Sequence, residues 1–556
     1  MDFKLELVKL LVKETNLNQL IVEGMLAVPP NPSMGDYAFP CFKLGPDAAL
    51  KLKHKIKKPQ FVSKIEVAGS YLNFFLDKSE LAQEILSVIK KKNKKYGAGN
   101  SKENIVFEYC GPNTNKPLHL GHVRNMAIGN SLVKILTFDG NTVHPVNIVN
   151  DRGIHICQSM LAYQKWGRNK KPDKKSDHFV GDYYVMFAKM NKESPDLMNQ
   201  AQEMLFKWEM KDPVILKLWK KMNSWVLKGF AETYKRLGVT FEKEYYESEL
   251  YERGKEVAFE GLQNGIFQKD DDKNIIAKLE QFDLPNKVVL RGDGTSVYIT
   301  QDMYLAEERY EDYHYDKSIY VVASEQNLHF KQLFKILELL GRPFAKKLYH
   351  LGYGLVHLPS GRMKSREGTV VDADDVMDET KNLAAKEVKQ RYSNISKKEV
   401  EKRAEFISLA AIKFFMLKTD QVKDIVFNPE ESLKFEGETG PYLQYTHARA
   451  CSVIRKAGKI NLVEYRELKS ESENKVVLML SKFPEIIKET AKQYKPHILC
   501  HYLLDLAQAF NEFYHACQVI SENKKQMAAR LMLVDSVRQV LENGLNCLGI
   551  EAPEEM

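Results

Sequence analysis

The stretch from residue 104 to residue 149 constrains the fold more than any other part of the chain. Residues 105–107 (Ile-Val-Phe) have the apolar density of a buried strand, and a loop rich in glycine, proline and asparagine follows. Apolar side chains then recur at helical spacing from Gly121 to Leu136, and residues 143–149 again have the composition of a strand. The order strand, loop, helix and strand is the beginning of a parallel sheet. We therefore predict an α/β fold.

The remaining sequence divides into regions that differ in composition and in predicted secondary structure. A helical start and a β-like run at 69–76 precede residues 90–100, in which five lysines are followed by two glycines. We interpret this stretch as a helix end and linker, either solvated or in contact with nucleic acid. β-like runs return at 297–300, 319–323 and 348–350, and the rest is almost entirely helical. We expect an N-terminal domain (1–100), an α/β domain (101–375) with a mostly helical insertion at about 160–285, a helical connection (376–430) and a helical C-terminal domain (431–556).

Composition excludes several classes of protein. The chain has 556 residues, 44% of them hydrophobic, and a formal net charge of +8 from 82 basic and 74 acidic residues. Several cores can form, and the mild positive charge permits an anionic partner such as RNA without requiring one. No apolar run approaches the roughly 18 residues of a membrane span, and we expect no signal peptide. The seven cysteines are scattered and never spaced as C-x-x-C, so we expect a cytoplasmic protein with reduced thiols and no protein-held metal.

The loop before the predicted helix has the features of an anion site. The N-terminus of a helix that follows a buried strand presents free N–H groups and a favourable dipole to phosphate. His119 and His122 add hydrogen-bond donors there, Gly121 allows a flat ring to approach the backbone, and Lys116 adds a positive charge. A packed histidine pair and half of a metal site are the alternatives. The loop has neither a Walker A motif nor G-x-G-x-x-G, which disfavours a P-loop or dinucleotide site.

A second motif, far downstream, decides between these alternatives. Residues 361–368 read Gly-Arg-Met-Lys-Ser-Arg-Glu-Gly, a basic loop able to fold over a triphosphate, although alone such a loop is usually only solvated. In this order with residues 119–122 (His-Leu-Gly-His), it resembles the HIGH and KMSKS signatures of class I aminoacyl-tRNA synthetases. The resemblance implies a Rossmann-like core that forms an aminoacyl-adenylate from an amino acid and ATP and then esterifies tRNA. It assigns ATP binding to His119, Gly121, His122, Met363, Lys364 and Ser365, and catalysis to Lys116, His119, His122, Arg362, Lys364 and Arg366.

Neighbouring motifs make the resemblance more specific. Residues 108–113 (Glu-Tyr-Cys-Gly-Pro-Asn) and 298–302 (Tyr-Ile-Thr-Gln-Asp) resemble the E-x-x-x-P-N and Y-x-T-x-D segments of arginyl-tRNA synthetases. Gln326 matches a glutamine that this family also uses. The resemblance implies that the substrate arginine is held by Glu108, Asn113, Tyr298, Asp302 and Gln326.

The chemistry of arginine agrees with this implication. A guanidinium presents five N–H donors in a planar fork, so a specific pocket needs carboxylates in its plane. Asp302 and Glu108 supply two such groups. Tyr298 and Asp302 share a face if their segment opens a helix. An ordinary helix-capping role for Asp302 is the alternative.

Two further segments resemble the RNA-binding parts of the same family. The segment around Asn73 resembles an extra N-terminal domain that contacts the outer corner of tRNA, which implies an α+β domain with Asn73 as an RNA contact. Residues 440–449 resemble a helix that meets the anticodon loop in an all-α C-terminal domain. Tyr442, Tyr445 and Arg449 share one helical face there and suit stacking on splayed bases. Packing of the two tyrosines in a helical core is the alternative.

The resemblance to arginyl-tRNA synthetases extends over nearly the whole chain and defines the expected reaction. The implied enzyme ligates L-arginine to tRNA(Arg) with ATP and accompanying Mg²⁺, and we expect a monomer without membrane contact. The rival hypotheses are another class I synthetase or a nucleotidyltransferase, and a non-catalytic RNA-binding relative. Ser365 departs from the general pattern because KMSKS has its second lysine there. A lysine before the HIGH motif is a feature of the arginyl family, and Lys116 is predicted to neutralise the same phosphate charge.

Overall fold

A computed structural model describes residues 3–29, 31–357, 359, 371–392, 395–458 and 463–556. Its elements form an N-terminal α+β unit, a central parallel sheet with flanking helices, and a helical C-terminal region. This arrangement confirms the predicted multidomain α/β fold class with a Rossmann-like core. None of the helices within these ranges is both long enough and apolar enough to cross a membrane.

The N-terminal unit is a three-stranded antiparallel sheet covered by helices. Its elements are α1 (Phe3–Thr15), α2 (Gln19–Met25), β1 (Tyr37–Pro40), α3 (Ala48–Lys55), β2 (Val62–Ala68), β3 (Tyr71–Leu76) and α4 (Lys78–Lys92). Strand β3 lies between β1 and β2. The carboxylate of Asp36 fixes the loop before β1 by accepting a hydrogen bond from the Leu76 N–H at 2.8 Å. Asp77 begins α4 by accepting from two backbone N–H groups of its first turn.

The central region is built on five parallel strands. Its elements are β4 (Asn104–Glu108), α5 (Leu120–Phe138), β5 (Thr142–Val149), α6 (Ile154–Trp166), α7 (Ser176–Glu193), α8 (Asp196–Glu209), α9 (Pro213–Leu237), β6 (Lys243–Tyr246), α10 (Glu247–Gln263), β7 (Phe267–Lys269), β8 (Ile275–Ala277), β9 (Lys287–Leu290), α11 (Tyr298–Tyr313), β10 (Lys317–Ala323), α12 (Asn327–Leu339) and β11 (Leu348–Tyr353). The strand order is β11-β10-β4-β5-β6, and every neighbouring pair is parallel. Strand β4 lies in the middle with its apolar residues 105–107 fully buried, as the sequence predicted.

Two segments differ from the sequence predictions. The run 297–300 is not a strand, because Tyr298 opens α11 and the Thr300 hydroxyl accepts a hydrogen bond from the Val297 N–H at 2.9 Å. The expected insertion at about 160–285 does contain four whole helices, α7 to α10, and the end of α6, but β6 within it is the edge strand of the central sheet. Strands β7, β8 and β9 form a separate antiparallel sheet.

The C-terminal region is helical, as predicted, apart from one short strand pair. Its elements are β12 (Val356–His357), α13 (Ala373–Arg391), α14 (Lys397–Leu417), β13 (Ile425–Val426), α15 (Pro429–Ser432), α16 (Gly440–Ala457), α17 (Glu471–Gln493), α18 (Pro496–Ala516) and α19 (Lys524–Cys547). Strands β12 and β13 pair in parallel. Helix α5, which starts at the histidine motif, packs against α14, α17 and α19. The C-terminal helices therefore hold α5, whose first turn carries the histidine motif, in place.

The segment after α4 is not a free linker. Tyr96 is 3% exposed, and its hydroxyl donates to the Leu480 carbonyl of α17 at 2.9 Å. Its ring stacks on Phe483 with the centroids 6.1 Å apart. Gly97 has a φ of +91°, and a Cβ there would overlap the Phe483 ring. Gly97 therefore allows a close contact with the C-terminal helix α17.

Arg124 is a fully buried cation on α5 that joins three segments. Its guanidinium donates to the carbonyl oxygens of Gly354 at 2.7 Å, Leu355 at 3.0 Å, Gln421 at 3.2 Å and Lys423 at 2.7 Å. Burial lowers the pKa of Arg124 to about 10, so it remains charged at neutral pH. A buried charge is costly unless it is hydrogen-bonded, and these four acceptors tie α5 to the loops before β12 and β13.

Replacing Arg124 by methionine is expected to destabilise the protein by more than about 3 kcal/mol, because each buried acceptor left without a donor costs about 1–3 kcal/mol. The urea unfolding midpoint measures the effect. Arg253→Met is the matched control, since Arg253 is 61% exposed and pairs only with the exposed Glu256 among the ion pairs of the described residues. Such a surface pair contributes about 0–1 kcal/mol. Equal losses in the two variants would contradict the structural role of Arg124.

Candidate active site

The candidate residues lie where the parallel strands end, which is the usual place for a binding site in such a sheet. After β4, the chain runs through Asn113 to the start of α5. The loop is held to the end of β5 because the Thr114 N–H donates to the Asn150 carbonyl at 3.1 Å and the Asn150 N–H donates to the Pro112 carbonyl at 2.9 Å. After the neighbouring strand β10, Gln326 is exposed immediately before α12. The parallel topology thus brings the loop after β4 and the residues after β10 to the same edge of the central sheet.

His119 and His122 form a compact pair at the first turn of α5. Their ring centroids are 3.9 Å apart. Nδ1 of His119 accepts from the Gly121 N–H, and Nδ1 of His122 accepts from the His119 N–H, both at 3.1 Å. A Cβ at Gly121 would lie 2.9 Å from Cε1 of His119. The flat ring that Gly121 admits in this structure is therefore that of His119, which caps the helix.

Both histidines are neutral at physiological pH. Burial and the positive charge of Lys116 lower the pKa of His119 to about 3. Burial, His119 and Lys116 lower the pKa of His122 well below its usual value. Because each Nδ1 accepts a hydrogen bond, the single proton of each ring is on Nε2. The helix end therefore offers two neutral N–H donors, and Lys116 supplies the nearby positive charge.

The basic motif, residues 361–368, lies outside the described residues. It contains Arg362, Met363, Lys364, Ser365 and Arg366. The segment that follows it is described, and it pairs with the histidine motif. The Leu120 N–H donates to the Val371 carbonyl at 3.2 Å, and the Ala373 N–H donates to the Leu118 carbonyl at 2.8 Å. The chain therefore returns from the basic motif directly against the start of α5.

Tyr298 and Asp302 lie on the first turns of α11, as their spacing predicted. The Asp302 carboxylate is 31% exposed and receives a hydrogen bond from Nε2 of His329 at 2.7 Å. Tyr298 is 64% exposed. Val297 is the N-cap of α11, so the helix-cap alternative for Asp302 is wrong. A neighbouring helix instead orients this carboxylate at the open side of the site.

Glu108 is buried at the end of β4 and forms an ion pair with Arg309, which is fully buried on α11. The Arg309 guanidinium also lies over the rings of Tyr245 and Tyr320, with 5.1 and 5.3 Å to their centroids. Burial raises the pKa of Glu108, and Arg309 opposes this rise. Glu108 therefore neutralises an arginine of the chain itself. Of the two predicted carboxylates, Asp302 is the better placed for a substrate guanidinium.

Two further acidic groups lie beside this pocket and were not among the predicted site residues. Glu247, at the start of α10, accepts a hydrogen bond from Nε2 of Gln301 at 2.6 Å, and burial raises its pKa to about 8 with Asp302 among the contributing charges. Asp151, after β5, accepts hydrogen bonds from the N–H and hydroxyl of Ser248, and burial raises its pKa to about 6. Asp151 follows β5, which the sequence predicted as a strand, and that position is the signal that would have found it. Glu247 follows β6, which has no strand signal of its own, so no comparable signal marks it.

The predicted RNA contacts occupy two different settings. Asn73 is 4% exposed in the central strand β3, and its Oδ1 has no hydrogen-bond partner in the described part of the chain. Tyr442, Tyr445 and Arg449 are half-buried on α16. The Arg449 guanidinium lies 4.7 Å from the Tyr445 ring centroid and donates to Oδ1 of Asn511 at 2.8 Å. Tyr445 and Arg449 line an open groove of about 800 Å³. Their roles in RNA binding stay predictions.

Family models that match most of the chain define its class. Residues 84–429 match the model described as tRNA synthetases class I (R), catalytic domain. Residues 443–556 match the DALR anticodon binding domain, and residues 4–76 match the arginyl tRNA synthetase N terminal domain. The central sheet with its histidine pair is thus the catalytic domain of a class I aminoacyl-tRNA synthetase.

Similarity to individual proteins shows which family within this class the chain resembles. The chain is 43% identical to the arginine–tRNA ligase of Treponema denticola over 96% of this chain and 94% of that protein. It is 45% identical to the arginine–tRNA ligase of Bacteroides fragilis over 83% and 82% of the two chains. The structure of Thermus thermophilus arginyl-tRNA synthetase covers 96% of each chain with a TM-score of 0.80 and 27% identity. The chain belongs to the arginyl-tRNA synthetase family, which confirms the predicted family and enzyme class.

The neutral histidines make stability depend on pH in a defined direction. The folded-state pKa of His119, about 3, is below its unfolded value of about 6.5, so the unfolded chain takes up the proton first. Stability is therefore lost as the pH falls below about 6.5, by about 2 kcal/mol for one such histidine at pH 5. His119→Asn keeps a capping acceptor without this titration and is expected to lose less stability between pH 7 and pH 5 in urea unfolding. An identical pH dependence would show that His119 is not held neutral.

Proposed function

We propose how the residues of this site divide the work of arginine–tRNA ligation, the reaction of the family. The chain ligates L-arginine to tRNA(Arg) with ATP. The arginine carboxylate attacks the α-phosphate to give arginyl-adenylate and pyrophosphate, and the terminal ribose hydroxyl of tRNA then attacks the adenylate carbonyl and releases AMP. No protein nucleophile is needed, so the residues act by positioning and charge stabilisation.

ATP binding is assigned to the N-terminus of α5. The Nε2–H groups of His119 and His122 donate to phosphate oxygens, and the helix dipole adds a favourable field. Gly121 is assigned to the adenosine, and Met363, Lys364 and Ser365 of the basic motif are assigned to ATP as well. The observation that carries this assignment is the meeting of two neutral donors and the charge of Lys116 at one helix end.

The substrate arginine is assigned to the open side of the sheet edge. Asp302 pairs with its guanidinium, and Tyr298 packs beside it on the same helix face. Asn113 and Gln326, which follow the neighbouring strands β4 and β10, contact the rest of the amino acid. Glu108, the other predicted carboxylate, is paired with Arg309 and is assigned only to the wall of this pocket. The exposure of Asp302 and its fixed orientation support this arrangement.

Asp302→Ala is expected to raise the arginine KM by about 10²-fold or more, because leaving a desolvated charge without its partner costs about 3–5 kcal/mol. The ATP KM should change little. Both constants are measured by ATP–pyrophosphate exchange with tRNA present. Glu311→Ala, which removes an exposed carboxylate from the same helix, is the control and should match the wild type. Equal increases in both constants for Asp302→Ala would indicate a folding defect and contradict the assignment.

The charge that develops on pyrophosphate is assigned to four cations. They are Lys116, Arg362, Lys364 and Arg366. Ser365 stands where the general motif has a lysine, so Lys116 supplies the missing charge from the histidine side. Its effect on the pKa of both histidines supports a position beside the phosphate donors.

We expect Lys116→Ala to slow pyrophosphate exchange by roughly 10²- to 10³-fold, or about 3–4 kcal/mol, the scale of one lost transition-state contact. The arginine KM should barely change. Adding Ser365→Lys to this variant should restore part of the rate, whereas Lys102→Ala, an exposed lysine before β4, should have no effect. Near wild-type turnover by Lys116→Ala alone would contradict the role.

Magnesium is proposed to enter with ATP and not through a dedicated protein site. Within the described ranges, Asp177, His178 and Asp374 are a group of possible metal ligands. The Lys175 ammonium lies 2.7 Å from the Asp177 carboxylate and 2.9 Å from that of Asp374, so both carboxylates are already paired with a cation of the chain. This donor set does not fit Mg²⁺, whose ligands here are the phosphate oxygens of ATP.

The remaining assignments concern tRNA and assembly. Asn73 is proposed to contact the outer corner of tRNA(Arg), and Tyr442, Tyr445 and Arg449 its anticodon loop. The match of residues 443–556 to an anticodon binding domain supports the second contact. We also propose that the protein is a cytoplasmic monomer.

A further inference from the structure

Lys175 and two aspartates form a buried ionic network between the helical insertion and α13. The Lys175 ammonium lies 2.7 Å from Oδ2 of Asp177 and 2.9 Å from Oδ2 of Asp374, and it donates to the Thr233 hydroxyl at 2.8 Å. The Asp177 side chain is fully buried. Gly229 makes room for it, since a Cβ there would overlap the carboxylate. The network therefore fixes α7, α9 and α13 to one another.

His178, on α7, adds a bridge from this network to the segment that follows the basic motif. Its Nε2 lies 3.1 Å from Oδ2 of Asp374, and its Nδ1 lies 3.4 Å from Oδ2 of Asp372. Since both ring nitrogens face carboxylates, both contacts are attractive only when both nitrogens carry protons. The two carboxylates therefore stabilise the imidazolium form of His178.

Asp372 connects the bridge to the ATP site. Its backbone forms a β-bridge with His119. The residues on either side of it, Val371 and Ala373, hydrogen-bond to the backbone on either side of His119. One short segment therefore contacts His178 through its side chains and His119 through its backbone.

We infer that His178 is a positioning residue for adenylate formation: by holding Asp372 and Asp374, it sets where the chain returning from the basic motif meets His119. The inference rests on the proposed ATP site. Lys116, His178 and Asp372 line the same cavity of about 310 Å³. A shift of residues 371–373 would therefore move the backbone that pairs with His119 at the phosphate-binding side.

The charges around His178 favour its protonated form. The hydrogen bond to Asp374 raises the pKa of His178. Burial opposes ionisation of Asp374, but hydrogen bonds from His178 and Lys175 lower its pKa to about 2. Burial raises the pKa of Asp372 to about 6, so it is ionised at neutral pH. The charged groups around His178 are Lys116 from the loop after β4, Lys174, Lys175, Asp177 and Asp182 from α7 and its start, and Asp372, Asp374 and Asp375 from the start of α13.

The test uses the full-length protein in ATP–pyrophosphate exchange with arginine and tRNA. His178→Ala is expected to lower kcat by 10- to 100-fold with the arginine KM within twofold of the wild type, because a displacement of about 1 Å near the reacting groups costs up to 10²-fold. The wild-type rate should fall on the alkaline side as His178 loses its proton, and His178→Gln, which keeps one hydrogen bond, should lack that fall. Lys174→Ala removes an exposed cation from the same cavity wall and should stay within twofold.

The outcomes separate this inference from the proposed function. Arginine-dependent exchange by the wild type tests the function itself, and its absence would reject that function. Given wild-type exchange, a kcat of His178→Ala within twofold of the wild type would overturn the positioning role. An alkaline limb that persists in His178→Gln, or an arginine KM that rises in step with the loss of kcat, would also overturn it. If His178→Ala fails to fold, the pH profile of His178→Gln decides.

Discussion

The guanidinium of Arg124 is the interaction on which the rest of the catalytic domain depends. It lies one turn inside α5 and is bound by four carbonyl oxygens from two separate loops. One loop leads through β12 to the basic motif, and the other leaves α14 toward the C-terminal helices. Because a buried cation cannot lose its acceptors cheaply, the start of α5 and both loops are fixed as one unit. His119 and His122 are held in position because they lie at the start of α5, within this unit.

Much of the fold could be predicted from sequence because most of its elements carry a local signal. A strand buried on both faces needs an unbroken apolar run, which residues 105–107 provide. Strand β6 carries no such signal, since only Tyr245 of its four residues is buried at the sheet edge. The run 297–300 suggested a strand because Val, Ile and Thr favour strands. The Thr300 hydroxyl instead accepts from the Val297 N–H in the first turn of α11, and it donates to the Val289 carbonyl of β9. The second bond depends on tertiary packing that composition does not reveal.

The residues of the candidate site could be predicted from motifs, but their ion pairs and protonation states could not. The spacing of Tyr298 and Asp302 was enough to place them on one helix face, and the histidine motif was enough to place a helix end. That Glu108 would be paired with Arg309 depends on the approach of α11 to β4, two elements far apart in the chain. The neutral state of His119 likewise depends on burial, which three-dimensional packing creates. Sequence therefore identified the groups, and packing determined their charge.

The contact of Tyr96 with α17 has a consequence for the cost of binding. Its hydroxyl is bonded to Leu480 and its ring is stacked on Phe483, so the segment between the N-terminal unit and the catalytic domain is already ordered. A ligand that bridges both ends of a protein normally reduces the freedom of one domain relative to the other, and this lost entropy weakens binding. Here, that freedom is restricted before any ligand arrives. A long, rigid RNA that touches both the N-terminal sheet and α16 would meet a preformed spacing, so a mismatch in its length would be penalised and not absorbed by hinge motion.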